Sequence, residues 1–214
     1  MPITAVVFDL DGTLADTLSD ITDALNVTLA GMGLPPVAER AAAGCVGWGV
    51  RRLIEGVVPG VDAATIDVLV ERFRAYYGDH LVVKTRPYPG IPELLDELVA
   101  RGLPLAILSN KPDGMTRRIA AEVFGRWPFA SVIGMRADMP RKPDPAGALL
   151  AAAAMERPPG RIALVGDTDV DVATARAAGM LPVAVSWGFR PYDEVASAGA
   201  AAIIHRPADL LALL

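Results

Sequence analysis

Asp9 and Asp11 stand two residues apart in Asp9-Leu10-Asp11-Gly12-Thr13, directly after the apolar run Ile3 to Phe8. Asp167 and Asp171 follow another apolar run, Ile162 to Val165, in the stretch Gly166 to Asp171. Ser109-Asn110-Lys111 follows Leu103 to Leu108, and Arg141-Lys142-Pro143 lies beyond Ser131 to Gly134. Four carboxylates gathered in one place repel by about 4 kcal/mol per pair at 4 Å and an effective dielectric near 20, so something cationic must hold them. Aspartates with no histidine nearby suit a hard, oxygen-seeking ion, and Mg²⁺ fits where a phosphate supplies further ligands. Lys142 adds a fixed positive charge and Ser109 a hydroxyl donor, so these residue types describe a site for a phosphoryl group. Only Lys84, Lys111 and Lys142 among the 20 basic residues are lysines. A lysine kept where arginine serves elsewhere marks Lys142 as more than a solvated charge; Lys84 reads as structural, and Lys111 stays open between the two.

Such residues need a scaffold that brings separate chain segments to one rim. Apolar, β-branched runs recur at Ile3 to Phe8, Leu103 to Leu108, Ser131 to Gly134, Ile162 to Val165, Pro182 to Val185 and Ala202 to Ile204. Helical patterns alternate with them at Ile91 to Arg101, Met115 to Phe124, Pro145 to Met155, Asp169 to Ala178 and Asp193 to Ser197. Alternation of this kind predicts a doubly wound parallel α/β sheet, a Rossmann-like core with helices on both faces. In such sheets ligands bind beyond the carboxyl ends of the strands, where the polar residues above fall. The stretch from Thr17 to Val83 breaks the alternation with helical spacing at Ile21, Leu25 and Leu29, at Val50, Leu53 and Ile54, and at Ile66, Leu69, Val70, Phe73 and Tyr77. It predicts a small helical cap domain over residues 16–83, inserted into a core formed by 1–15 and 84–214. Asp16 or Ser19 is expected to cap its first helix, and Arg86 to Gly90 marks the return hinge.

Composition narrows the partners. With 214 residues, 52% of them hydrophobic and 21% charged, the chain is globular and folds without disulfide or structural metal. A net charge of -5 argues against nucleic acid or an anionic membrane, which are gripped by concentrated Lys and Arg, and leaves a small molecule, which the phosphoryl site above makes a small phosphorylated metabolite. The single Cys45 excludes an internal disulfide and fits a reducing, cytoplasmic setting. No apolar run approaches 18 residues, and the first residues lack the basic region of a signal peptide. His80 and His205 lie away from every motif. Gly47-Trp48-Gly49 has Arg52 where a dinucleotide fingerprint needs glycine, and no Gly-Lys-Ser/Thr phosphate loop occurs. Asp167, Asp169 and Asp171 do not form a calcium loop, because Val172 takes the glycine position and Ala178 that of the bidentate glutamate. Asp169 reads as a helix N-cap or a surface residue.

Taken alone, an Asp-x-Asp pair is more often an Asx turn or a cap. Four motifs in order change that reading: Asp9 to Leu14, Leu108 to Lys111, Arg141 to Pro145 and Val165 to Asp171 resemble the motifs of the haloacid dehalogenase superfamily over nearly the whole chain. Within it, the helical insert, the Gly47-Trp48-Gly49 loop and Tyr88-Pro89-Gly90 resemble phosphoglycolate phosphatases. The resemblance implies that Asp9 is the nucleophile, that Asp11 is the general acid and base, and that Lys142 assists catalysis. It implies phosphate binding by Gly12, Thr13, Ser109, Asn110 and Lys142. It places Mg²⁺ on Asp9, the Asp11 backbone carbonyl and Asp167, with Asp171 in direct or water-mediated support. Dehalogenases lack the second aspartate, so Asp11 favours phosphate over halide; phosphonatases need a cap lysine, and 16–83 has none. Trp48 and Arg51 are candidates to face substrate from the insert, although Trp48 serves equally as packing and Arg51 suits a solvated helix face. The expected reaction is Mg²⁺-dependent release of phosphate from 2-phosphoglycolate. The alternatives are a phosphatase or mutase for a sugar phosphate, nucleotide or pyrophosphate, and a non-catalytic binder of phosphometabolites.

Overall fold

The computed structural model describes residues 2–214. The chain runs from β1 (Ala5–Phe8) through a two-residue β2 (Ala15–Asp16) into α1 (Leu18–Ala30), α2 (Glu39–Ala43), α3 (Val50–Val57) and α4 (Ala63–Asp79), and returns at β3 (Arg86–Pro87). From there α5 (Ile91–Ala100), β4 (Leu105–Pro112), α6 (Asp113–Phe124), β5 (Phe129–Met135), α7 (Ala146–Ala154), β6 (Ile162–Gly166), α8 (Asp169–Ala177), β7 (Leu181–Val185), α9 (Tyr192–Ser197) and β8 (Ala202–Ile204) alternate. The main sheet has six strands in the order β5-β4-β1-β6-β7-β8, every neighbouring pair parallel, as the alternation predicted. No helix among the described residues is long and apolar enough to cross a membrane.

β1 sits at the centre and is buried at every position, which is why it reads as a continuous apolar run rather than an alternating one. Its side chains nevertheless alternate: Ala5 and Val7 join the face packed by Ala148, Ala151 and Ala152 of α7, while Val6 and Phe8 join the opposite core. That opposite core is continuous with the helices between β2 and β3, since Leu10 and Leu14 share one cluster with Leu25, Leu69 and Phe73. Each such fully buried Leu or Phe contributes about 1.5–3 kcal/mol.

Two polar devices tie the start of the helical stretch to its end. Ala15 and Asp16 pair antiparallel with Pro87 and Arg86. The buried Asp20 carboxylate accepts from the backbone N–H groups of Val83 (3.1 Å), Lys84 (2.9 Å) and Thr85 (2.8 Å), and from the Thr85 hydroxyl at 2.8 Å.

The structure departs from the sequence expectations in three places. The N-cap of α1 is Thr17, and its hydroxyl serves Asp11 instead of the helix; Asp16 accepts weakly from Leu18 N–H at 3.3 Å. Of the two readings of Asp169 the surface one holds: Thr168 is the N-cap of α8, and its reciprocal capping box with Asp171 leaves Asp169 exposed. The short α2 has no strong apolar periodicity and was not foreseen. β4 runs on to Pro112 through a register shift against β5, so Ser109, Asn110 and Lys111 lie within the strand's last turn rather than after it.

Candidate active site

The carboxyl ends of β1, β4 and β6 converge with the loop carrying Lys142. Asp9 extends β1 by one residue, its N–H bonded to Val165 O of β6 at 2.8 Å. Lys142 stands on the loop before α7, beside a cis bond to Pro143. Its ammonium donates to Asp9 Oδ1 (2.7 Å), Asp171 Oδ1 (2.6 Å) and the Leu108 carbonyl (3.1 Å), which uses all three of its protons. Asp171 Oδ2 accepts from the Thr168 hydroxyl at 2.6 Å, so the α8 capping box also anchors the cluster. Asp167 Oδ2 accepts from Phe189 N–H at 2.8 Å, and Oδ1 is within 3.4 Å of the Thr13 hydroxyl.

Asp9, Asp167 and Asp171 each offer an oxygen within 4.8 Å of the others, and all three are buried. The chain backbone is shaped to admit them. Gly12 has φ +82°, and a Cβ there would collide with Asp167 Oδ2. Burial pushes the Asp9 carboxyl up to about 7, with Lys142 opposing and Asp171 reinforcing. Burial, then Asp9 and Asp171, hold Asp167 well above the carboxylate range. Burial works against the Lys142 charge, but Asp171 and Asp9 outweigh it and hold its pKa above that of ordinary lysine. One ammonium among three buried carboxylates leaves two negative charges unmatched. A divalent, oxygen-seeking cation is what this donor set fits.

Asp11 belongs to a second group. Its carboxylate accepts from Lys111 Nζ at 2.9 Å on both oxygens and from the Thr17 hydroxyl at 2.7 Å, and so points away from the Asp9 cluster. Lys111 is buried, and its ammonium lies 4.7 Å from the centre of the Tyr77 ring of α4. A cavity opens between the strand ends and the helices. Asp9, Asp11, Ser109, Lys111, Lys142 and Asp167 line its floor, and α1, α3, α4 and the loop at 46–49 form its opposite wall.

Several sequence candidates have other employment. The Asn110 side chain accepts from Lys142 N–H at 2.9 Å and donates to Lys142 O (3.1 Å) and Gly47 O (2.9 Å), so its amide is spent on fastening loops and not on an anion. The Gly12 N–H is bonded to Ala15 O at 3.0 Å, and neither Gly12 nor Thr13 lines the cavity; both pack against Asp167. Arg51 pairs with Glu55 and Asp67 on the exposed side of α3, away from the cavity. Trp48 does not line it either: Arg52 covers the indole, and the Trp48 carbonyl accepts from Arg141 at 2.9 Å. Ser109 does face the cavity, and with its oxygen accepting from Lys111 N–H at 3.2 Å its hydroxyl proton remains to donate.

Other participants are left open or unmarked by the sequence. Lys111 carried the scarcity signal that marked Lys142, but no motif logic gave it a partner. Arg190 donates to Gly44 O and to Val46 O (2.9 Å), joining Asn110 and Arg141 in holding four carbonyls of the 44–48 loop. Trp187 donates its indole N–H to Thr13 O at 3.1 Å. These residues follow β7, and nothing in their local pattern signals contact with the 9–13 loop or the 44–48 loop.

The family model of haloacid dehalogenase-like hydrolases matches residues 3–179. A phosphoglycolate phosphatase of Rhodospirillum rubrum is 38% identical over 216 aligned positions, covering 96% of this chain and 88% of the relative. An N-acetylmuramic acid 6-phosphate phosphatase of Pseudomonas aeruginosa is 34% identical, covering 100% of this chain and 96% of the relative. Among solved structures, a candidate phosphoglycolate phosphatase of Lactobacillus delbrueckii subsp. bulgaricus superposes with a TM-score of 0.93 at 30% identity, over 100% of this chain and 99% of that one.

Proposed function

From the premise that the chain belongs to the haloacid dehalogenase-like hydrolases and is a phosphatase, we propose that it releases phosphate from 2-phosphoglycolate through an aspartyl-phosphate on Asp9. The observation that carries this reading is the separation of the two loop carboxylates into different environments: Asp9 is fixed by Lys142 within the buried acidic cluster, and Asp11 is held by Lys111 and Thr17 at the cavity. Two carboxylates so placed divide the labour of a nucleophile and a proton carrier.

Asp9 attacks phosphorus in line as the ester oxygen departs on the far side. Lys142 orients the nucleophile through Oδ1. Asp11 gives a proton to the leaving alkoxide and then takes one from the water that hydrolyses the acyl phosphate. The free proton of Ser109 is donated to a phosphoryl oxygen. Asp9, Asp167 and the Asp11 carbonyl would hold Mg²⁺, with Asp171, engaged by Lys142 and Thr168, in direct or water-mediated support. When bound, the ion neutralises the carboxylates and the charge on the phosphoryl oxygens. Residues 16–83 act as the cap over a core formed by 1–15 and 84–214, and so meet the leaving group.

The insert's wall supports a small leaving group. Its cavity-lining side chains are apolar apart from one tyrosine hydroxyl, which leaves the hydroxyls and amide of an amino-sugar phosphate without partners. Phosphate release is measured across 2-phosphoglycolate, N-acetylmuramic acid 6-phosphate, sugar phosphates, nucleotides and pyrophosphate, with Mg²⁺ and with a chelator. The reading expects Mg²⁺-dependent turnover with the highest kcat/KM for 2-phosphoglycolate; a higher value for the amino-sugar ester replaces the substrate, and absence of turnover rejects the mechanism.

A further inference from the structure

The insert presents Ile21, Val46, Val50, Leu53, Phe73 and Tyr77 to the cavity, and only Tyr77 among these carries a polar side-chain atom. Tyr77 is 2% exposed, and its hydroxyl has no hydrogen-bond partner. A buried phenol is rarely left in that state, because an unmet polar group costs more than a typical hydrogen bond returns. No local feature of α4 accounts for it. The ring rests against Phe73, with centroids 5.2 Å apart, and under the Lys111 ammonium, which fixes the side chain beside that cation. Burial pushes the phenol up to about 12, against the opposing pull of Lys111, and keeps it a proton donor at neutral pH.

Lys111 is the second half of the argument. Lys111 and Lys142 are the cationic side chains that line the cavity. Lys142 is consumed by Asp9, Asp171 and a carbonyl, whereas Lys111 sits between Asp11 and the Tyr77 ring. Asp11 is the residue nearest the departing oxygen in the reading above. Groups one or two bonds beyond that oxygen therefore fall beside Lys111 and Tyr77.

We propose that Tyr77 is a specificity-determining residue, whose buried hydroxyl, together with the Lys111 ammonium, receives a carboxylate carried by the leaving group close to the ester oxygen. This rests on the phosphatase reading above and adds to it a substrate class: monophosphate esters of short hydroxy acids, with the acid as the one polar group beyond the ester. A phenol and an ammonium offer two donors side by side, as a carboxylate requires, and the surrounding apolar wall strengthens both bonds by excluding water.

The test compares 2-phosphoglycolate with ethyl phosphate, which keeps the two carbons and lacks the acid, in the wild-type enzyme and in Tyr77→Phe, with thermal unfolding as a check on the fold. Wild type is expected to prefer 2-phosphoglycolate. Tyr77→Phe is expected to reduce that preference about 10- to 100-fold, chiefly through KM for 2-phosphoglycolate, with a much smaller change for ethyl phosphate. An equal loss for both esters, or an unchanged preference, overturns the role of Tyr77. Ethyl phosphate hydrolysis without preference for the acid overturns it also and leaves the phosphatase reading standing. If no ester is hydrolysed, the phosphatase reading fails and the role of Tyr77 fails with it.

Discussion

The two sides of the cavity are built on opposite principles. Its floor, at the ends of β1, β4 and β6, collects Asp9, Asp11, Ser109, Lys111, Lys142 and Asp167, each fixed by named hydrogen bonds within a charged network. Its far wall, from α1, α3 and α4, is aliphatic and aromatic, with a single hydroxyl. The floor carries charges that a phosphoryl group meets in any ester, and the wall carries only shape and one donor, which different leaving groups satisfy differently. Between them runs a seam of side-chain to backbone bonds, where Asn110, Arg141 and Arg190 reach the carbonyls at 44, 46, 47 and 48. In the proposed reading chemistry sits on the floor and selection on the wall, with Lys111 shared between them. Changes to Asp9, Asp11, Ser109, Lys142 or Asp167 should depress turnover of every ester, and changes to the wall or seam should depend on the leaving group.

The largest effect belongs to the nucleophile. Asp9→Asn keeps the volume but cannot attack phosphorus, and turnover of all esters should fall by at least about 10⁴-fold while circular dichroism stays native. Substantial residual activity with unchanged Mg²⁺ dependence refutes the role of Asp9.

Next comes Asp11→Asn, which removes the proton carrier but not the nucleophile. Loss of general acid and base assistance is worth about 10²- to 10⁴-fold, toward the upper end for an alkoxide such as glycolate. An aryl leaving group needs little protonation, so p-nitrophenyl phosphate should give a rapid burst of nitrophenol followed by slow turnover in stopped flow. Neither burst nor difference between aryl and alkyl esters means that Asp11 does not carry the proton.

Arg190→Ala probes the seam and sharpens the contrast. It removes donors to Gly44 O and Val46 O without touching the floor, so kcat/KM for the preferred substrate should fall about tenfold, mostly through KM. A loss confined to kcat and equal for all esters would erase the division between floor and seam.

The smallest effect is read in stability. In metal-free protein the folded Asp9 keeps a proton up to about 7, whereas the unfolded chain releases it near the ordinary aspartate value, about 3.9. A folded pKa raised above the unfolded one makes stability highest below about pH 4 with respect to this group and lowers it as pH climbs through 7. Mg²⁺ at about one hundred times its Kd adds about 2.7 kcal/mol, or roughly 5–10 °C in Tm, and flattens that slope. Scanning calorimetry at pH 5 and pH 8, with and without Mg²⁺, checks both; a Tm that ignores the ion at pH 8 excludes the acidic cluster as its site.

Much of the floor was readable along the chain. Apolar runs of strand length announce a parallel sheet, and polar residues at their carboxyl ends must converge, because parallel strands point all those ends to one rim. Asp9, Ser109 and Asp167 fall at those ends by that rule and Lys142 on the loop beyond β5, while their roles came from the resemblance of the four motifs taken together. The scarcity of lysine singled out Lys142, yet Lys111 carried the same signal and stayed ambiguous, since its partners Asp11, Thr17 and Tyr77 come from other segments. Trp48 and Arg51 stood out by residue type and loop position, but helix phase decides facing: α3 buries Val50, Leu53 and Ile54 and turns Arg51 to solvent. Tyr77 fits the apolar spacing of α4 as well as any core aromatic, and its unpaired hydroxyl is invisible without the neighbours that fail to bond it.

By itself, then, the order of residues determined the element types, the parallel sheet and the acidic rim, because periodicity and strand polarity are properties of one segment at a time. Only the tertiary structure decided which protons are already spent. Asn110 looked like a phosphate ligand and is a fastener, while Arg190, which no motif marks, spans two loops some 144 residues apart. Hydrogen-bond capacity is finite, and whether a side chain has any left for a substrate depends on every segment that packs beside it.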